Sequence, residues 1–391
     1  MIYNITSVIL IVILLMGCSS APVRNPVPVD LTNKANIDGI PDARFWGDDF
    51  PTFAAERFMH FSDEEMHQYF SGVYNQPHNY LAISGGGANG AYGAGLLTGW
   101  TASGTRPEFT MVTGISTGAL TAPFAFLGPD YDEKLKEVYS TTTTKDIYRE
   151  RGIISALFSD SIVDTSPMRE LIDRYITEDI INAIGDEYRR GRRLYIGTMN
   201  LDAGRSVIWN IGSIATSNYP RRNELIRDIL QASASIPVFF TPVAIPVEAD
   251  GMTYDELHVD GGTGTQVFVY PAELNWRMIT EKLKVKGKPN VYVIRNSFIE
   301  PDYRGVKREV LPIANRSISA LIRTQGIGDL YQIYALCERD GNEFNLTFIP
   351  QSFTQEPEED FDPKFMRALF EFGYERAVNG YSWEQYPPDY K

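Results

Sequence analysis

From Tyr80 onward the chain alternates short apolar runs with longer stretches whose apolar positions recur every three or four residues. Tyr80 to Ile83 predicts a short strand, followed by a glycine-rich turn and a helix of small residues from Ala91 to Trp100. Phe109 to Val112 predicts a second strand, which leads through Gly114 to Gly118 into another apolar helix. Ser166-Pro167 reads as a helix start, with serine as N-cap and proline at the first helical position. Thr177-Glu178-Asp179 opens a further helix that closes on Arg189-Arg190-Gly191, acidic start and basic end both suiting the helix dipole. Leu194 to Asn200 and Ser206 to Asn210 flank the turn residues Asp202-Ala203-Gly204 and predict a hairpin. A helix through Leu225 to Ala234 follows, then strands near Val243 to Val247, Leu257 to Asp260 and Val291 to Ile294. Further on, Leu330 to Arg339 predicts a helix and Phe344 to Phe348 a strand. Strands alternating with helices predict an α/β layered domain, a mostly parallel central sheet flanked by helices.

Before Tyr80 the pattern is different. Residues 19 to about 50 carry Pro22, Pro26, Pro28 and Pro41, with Pro51 at the edge, and show little periodicity. They predict a tether or a strap along the domain surface. Ile9 to Met16 is an unbroken apolar run inside the uncharged stretch Met1 to Gly17. It is too short to span a bilayer as a helix, which takes about 20 apolar residues, and it fits the core of a signal peptide. The chain therefore divides into a leader at 1–17, a strap at 18–77, the layered domain at 78–273, and an extension at 274–391 packed on the same body. Leu15-Met16-Gly17-Cys18 resembles a bacterial lipobox. That resemblance implies a lipid thioether on Cys18 and attachment to a membrane of the bacterial cell envelope, and Ser19 points to the outer membrane. With Cys18 so used, only Cys337 remains, which excludes an intramolecular disulfide.

Charge narrows the partners. The formal net charge is −14, from 50 acidic and 36 basic residues, and no basic stripe is evident. A nucleic-acid backbone would be repelled, and loose adhesion to anionic lipid is disfavoured, so membrane attachment needs another device. The histidines at 60, 67, 78 and 258 show no metal-ligand spacing. Neither a metal nor a cofactor is expected. Oligomeric state is not readable from the chain.

Three glycine-rich stretches carry candidate chemistry. Gly114-Ile115-Ser116-Thr117-Gly118 lies between a predicted strand and helix, the context a nucleophile elbow needs. Glycines two residues either side of the serine relieve the crowding of that turn. Ser84-Gly85-Gly86-Gly87-Ala88-Asn89-Gly90 lets several backbone N–H groups converge without side chains in the way, as an oxyanion hole requires. Gly85, Gly87 and Gly90 also satisfy a dinucleotide-binding spacing, but the next strand runs into the serine elbow where that fold would place an acidic residue. Asp260-Gly261-Gly262 ends an apolar strand, unlike the Asp-Gly pairs at 38, 250 and 340, which are ordinary turn chemistry. A serine nucleophile needs a base within reach, and His258 is the only histidine after Ser116. Two residues apart on one strand, His258 and Asp260 would share a face, an awkward start for a Ser-His-Asp triad.

The glycine-rich turn, the serine elbow and the late Asp-Gly-Gly, in this order, resemble the patatin-like phospholipase family. Asp164-Thr165-Ser166-Pro167-Met168 and Ala232-Ser233-Ala234-Ser235-Ile236-Pro237, followed by Phe239-Phe240-Thr241-Pro242, match its habits too. The resemblance spans about Tyr80 to Pro271. It implies lipid acyl-ester hydrolysis by a Ser-Asp dyad without a catalytic histidine, on a phospholipid or other acyl-ester substrate. Ser116 would be the nucleophile, Asp260 its base, and Gly85, Gly86 and Gly87 the oxyanion donors. Asn89 stands where many relatives carry Arg or Lys, which removes a charged contact from the loop while leaving its backbone donors.

Overall fold

A computed structural model of the chain describes residues 24–49, 52–152, 160–301, 303 and 305–390. The leader and Cys18 lie outside the described residues. One nine-stranded sheet organises the rest, in the order β1-β7-β6-β3-β2-β10-β11 with β9 and β8 branching from β6. Its centre is parallel: β2 (Asn79–Ile83), β3 (Met111–Gly114), β6 (Arg193–Asn200), β10 (Asn290–Arg295) and β11 (Glu343–Phe348). Central strands of a parallel sheet are covered on both faces and so read as continuous apolar runs, as β2 and β3 do. Leu81, Ile83, Val112, Leu194 and Ile196 face one core, while Tyr80, Ala82, Met111, Val291 and Val293 face another. The second strand falls two residues later than its apolar pattern suggests, because Phe109 is a buried core residue outside the ladder.

The edge beyond β6 is antiparallel. β7 (Arg205–Asn210) pairs with β6 as the predicted hairpin, and β1 (Arg44–Trp46) pairs with β7. Residues 24–49 thus contribute a strand, and they also bury Ile37, Ile40 and Ala43. Arg24 holds their start to the body through Asp202 at 2.7 Å and Asp255 at 2.7 Å. β8 (Val243–Ala249) pairs with β9 (Met252–Asp260), and β9 pairs with the far half of β6. The two-residue strands β4 (Arg149–Glu150) and β5 (Val163–Asp164) form a separate ribbon.

Helices cover both faces. In chain order they begin with α1 (Thr52–His60), α2 (Asp63–Tyr69), α3 (Gly90–Ala102) and α4 (Thr117–Leu127). There follow α5 (Asp132–Thr141), α6 (Thr144–Ile147), α7 (Ser166–Tyr175) and α8 (Glu178–Arg189). The last are α9 (Ile211–Ala215), α10 (Arg222–Ser233), α11 (Trp276–Lys282), α12 (Val310–Asp340) and α13 (Pro363–Val378). The N-cap of α7 is Thr165 rather than Ser166, whose N–H and hydroxyl are both held by Asp164. α12 is far longer than the predicted Leu330 to Arg339, and its second half packs Leu330, Ile333 and the buried Cys337 onto β10 and β11.

The small residues of α3 have a steric purpose. A Cβ on Gly95 would sit 1.9 Å from the carbonyl oxygen of Phe370, and one on Gly99 would sit 2.3 Å from that of Tyr374. From the other side, a Cβ on Gly373 would lie 2.4 Å from Tyr92 O. α3 and α13 therefore touch backbone to backbone, and only glycine fits at those positions. Residues well beyond the glycine-rich motifs thereby fix the helix that the first motif opens.

Candidate active site

Sheet topology brings the two key side chains together. β7 occupies one edge of β6 across residues 195–200, so β3 and β9 must share the other. β3 arrives parallel and ends with Gly114 opposite Ile196; β9 arrives antiparallel and ends with Asp260 opposite Thr198. The two strands meet head-on, and Ser116 and Asp260 leave from the abutting ends.

Ser116 sits at φ 55°, ψ −126°, a backbone conformation that residues other than glycine rarely adopt. Its neighbours explain the motif spacing. A Cβ on Gly114 would lie 2.5 Å from Gly118 O, and one on Gly118 would lie 2.2 Å from Ile83 O. Either would push the turn off the sheet. The strained turn is tied down by Ser233, whose Oγ accepts the Ser116 N–H at 3.0 Å and donates to Gly197 O at 2.7 Å. α4 starts immediately after, its first turn accepted by the Ser116 carbonyl.

Asp260 is buried. Its N–H donates to Ser235 O at 2.8 Å, and its Oδ1 accepts the Gly262 N–H at 2.7 Å. Burial pushes its carboxyl up to about 6, against the hydrogen bonds it accepts from the Ser116 side chain and the Gly262 amide. Gly261 lies against Gly197 O, 2.5 Å from where its Cβ would be, and Gly262 lies against Gln266.

The glycine-rich loop is pinned by Asn296, just past β10. Asn296 N–H donates to Ser84 Oγ at 2.9 Å, its Nδ2 to Ser84 O at 3.0 Å, and its Oδ1 accepts from Gly93 N–H at 3.1 Å. A Cβ on Gly86 would sit 2.2 Å from Asn296 O, while Gly87 takes φ 56° in open space. The Gly85 amide donates to Gln266 O at 3.2 Å. Among the described residues the amides of Gly86, Gly87 and Thr117 donate to no protein acceptor. Asn89 is partly exposed, and its side chain does not cap α3.

Three of the residues that hold these loops, Gln266, Asn296 and Asp329, carry no sequence signature. They are ordinary polar residues whose role appears only on folding. Gln266 Nε2 holds Gly262 O at 2.6 Å. Asp329, on α12, accepts the Gln266 N–H at 2.7 Å and the Val267 N–H at 3.3 Å. Ser233 lies inside a quoted motif, so proximity to the elbow could have flagged it; the other three had no such cue.

His258 is elsewhere occupied. Its Nε2 faces Glu256 Oε2 at 3.2 Å and its Nδ1 faces Thr198 Oγ1 at 2.9 Å. A carboxylate only accepts, so Nε2 carries the proton and Nδ1 accepts from the Thr198 hydroxyl, whose oxygen in turn receives Trp209 Nε1–H at 2.8 Å. Burial lowers the His258 pKa, which favours this neutral form over the opposing pull of Glu256. Burial also works to raise Glu256, but hydrogen bonds from His258 and Arg44 and the Arg44 charge hold it down at about 2. The histidine belongs to a buried structural network with β1. A cavity of ≈ 570 Å³ between the strap and the sheet, lined by Phe45, Phe58, Tyr195, Phe268 and Trp276 among others, includes neither Ser116 nor Asp260.

A mostly parallel α/β sheet covered by helices, with a strained serine elbow beside a buried carboxylate, defines the class of this domain. A family model described as patatin-like phospholipase matches residues 81–272, from β2 to just past the Asp-Gly-Gly turn. Residues 81–272 belong to the patatin-like phospholipase family. No curated protein sequence matches the chain. Among solved structures it is similar to VipD from Legionella pneumophila, with TM-score 0.41 and 13% identity over 77% of this chain and 66% of that one. It is also similar to human GIVD cytosolic phospholipase A2, with TM-score 0.34 and 11% identity over 82% of this chain. The chain spans 66% and 54% of the lengths of these two proteins.

Proposed function

We propose that this protein is a serine acyl-ester hydrolase of lipid substrates, working through Ser116 and Asp260 alone. The observation that carries the reading is the pairing of a strained serine with a buried carboxylate at the abutting strand ends, while His258 has both ring nitrogens engaged. In the first half-reaction Ser116 Oγ attacks the ester carbonyl carbon and its proton passes to Asp260. The tetrahedral oxyanion is received by the free amides of Gly86, Gly87 and Thr117, with the positive end of α4 behind them. Gly85, its own amide engaged, shapes the loop. Collapse expels the alcohol, which takes the proton from Asp260, and leaves an acyl ester on Ser116. Water then repeats the sequence with Asp260 again as base. A carboxylate with pKa about 6 is ionised at neutral pH and yet a much stronger base than an exposed aspartate at about 3.9.

The substrate in this reading is a glycerophospholipid or a simpler acyl ester, and Asn89 offers a neutral polar contact where a cation would otherwise grip a head group. The lipobox resemblance at Cys18 supports attachment of the enzyme to the bacterial envelope by a lipid anchor, which mass spectrometry of the mature N-terminus would check. Hydrolysis of a p-nitrophenyl acyl ester by the parent chain, Ser116→Ala, Asp260→Asn and His258→Gln tests the mechanism. The serine and aspartate variants lose turnover and the histidine variant keeps it per folded molecule. Loss of turnover in a folded His258→Gln protein would return the triad to consideration.

A further inference from the structure

α12 runs from Val310 to Asp340, but only its second half lies on the body. The stripe that faces the sheet there is Gln325, Asp329, Ile333 and Leu336, at the three- and four-residue spacings of one helix face. Extended backwards, the same stripe continues through Ile322 and Ile318, with Leu321 beside it. Among the described residues these positions are only partly covered. Leu321 is 69% exposed, Ile318 and Ile322 are each 39% exposed, and Ile313 adds another 49%. A helix that presents its apolar stripe to water has left its partner out of view.

The surroundings identify that partner. In a chain of net charge −14, residues 303–326 hold five basic residues, Arg304, Lys307, Arg308, Arg316 and Arg323, against the single acidic Glu309. Only Lys307 and Arg308 are adjacent and the others are spread along the segment, so no long basic run shows in the sequence. Lys307 and Arg308 are exposed. The overhang is rooted at the site: Gln325 Nε2 donates to Gly264 O, four residues past Asp260, and Arg323 donates to Ile299 O at 3.0 Å, three past Asn296. Among the described residues no helix is long and apolar enough to cross a membrane, so this one would lie on a surface.

We propose that the first half of α12 seats the protein on a bilayer of anionic phospholipid, with Ile318, Leu321 and Ile322 among the acyl chains and Lys307 and Arg308 among the head groups. The inference rests on the proposed function for its biological sense, but docking can be measured without hydrolysis. The full chain carrying Ser116→Ala and Leu321→Trp is mixed with vesicles of phosphatidylglycerol and phosphatidylcholine in equal parts, their acyl chains brominated. The emission it adds over the Ser116→Ala chain is quenched, because only insertion brings that tryptophan to the bromines, whatever anchors the N-terminus. Ile318→Glu weakens the apparent affinity about tenfold or more, and Lys307→Ala and Arg308→Ala about fivefold each. With Ser116 intact, Ile318→Glu slows hydrolysis of vesicle phospholipid by a similar factor and leaves a water-soluble short-chain ester untouched.

Unquenched emission overturns the proposal. So does quenching that ignores both lysine and arginine and is equal on phosphatidylcholine alone, since the anionic assignment then fails. A dimer that Leu321→Glu splits would give the stripe to a second copy and overturn it too. If the parent hydrolyses no ester yet the quenching and its charge dependence hold, docking stands and the hydrolase reading falls.

Discussion

Asp260→Asn separates the chemistry of the site from its cost. The substitution keeps size and shape, and an amide oxygen can still accept the Gly262 N–H now held at 2.7 Å. It removes the charge. Burial raises this carboxyl from 3.8 to about 6, so the folded protein holds the proton more tightly than the unfolded chain does. Ionisation therefore costs stability: nothing below the unfolded value, a growing amount as pH rises towards about 6, and the full amount above it. Roughly two units at 1.36 kcal/mol each give about 3 kcal/mol. For 391 residues an unfolding entropy of ~2.1 cal/mol/K per residue sums to about 0.8 kcal/mol/K, so the variant melts about 4 °C higher at neutral pH. Calorimetry or circular-dichroism melts of parent and variant at about pH 8 and about pH 4, beside ester hydrolysis, make the measurement. The expected result is a more stable, inactive protein whose advantage fades in acid. Equal melting points at the higher pH, or an advantage that does not change with pH, would refute a desolvated carboxylate at this position.

Further outcomes follow from the same geometry. The rate constant kcat/KM of the parent should rise with pH through about 6 and then level off, as Asp260 loses its proton. Ser116→Ala should fold, lose all turnover and no longer take up a fluorophosphonate label, whereas Ser116→Gly should also relieve the positive-φ strain and gain about 1 kcal/mol in denaturant unfolding. His258→Ala should cost about 2 kcal/mol by breaking the Thr198–Glu256 bridge, with kcat per folded molecule unchanged. Gly95→Val drives a side chain into Phe370 O and should lower stability by about 3 kcal/mol or more, which thermal melts would detect.

What could be read in the chain follows from the range over which each constraint acts. Gly114 is bound by sterics within five residues, against the Gly118 carbonyl, so that part of the spacing is visible without the fold, whereas Gly118 is held against Ile83 O on the neighbouring strand. Apolar runs buried on both faces made β2, β6 and β10 readable for the same reason. Asn296 and Asp329 are different: each meets its partner across more than sixty residues, and an asparagine after a strand or an aspartate in a helix is unremarkable by itself. β1 is three residues of Arg-Phe-Trp, too short for alternation to register, and its strand character comes from the free edge of β7. α12 was foreseen only from Leu330 because Pro312, Gly326 and Gly328 break the helical pattern in sequence, although the stripe of apolar positions runs through them.

The contact between α3 and α13 sets an order on assembly. Every recognisable motif has been synthesised once residue 262 is made, yet the helix that follows the glycine-rich loop has its facing wall only after Phe370 and Tyr374 arrive. Asn296 and Asp329 likewise reach the loops from downstream. A chain interrupted between the Asp-Gly-Gly turn and α13 would contain the whole catalytic vocabulary and lack the means to hold it in place. The helix behind the glycine-rich loop is thus walled in by residues near the far end of the chain, where two helices touch at glycine.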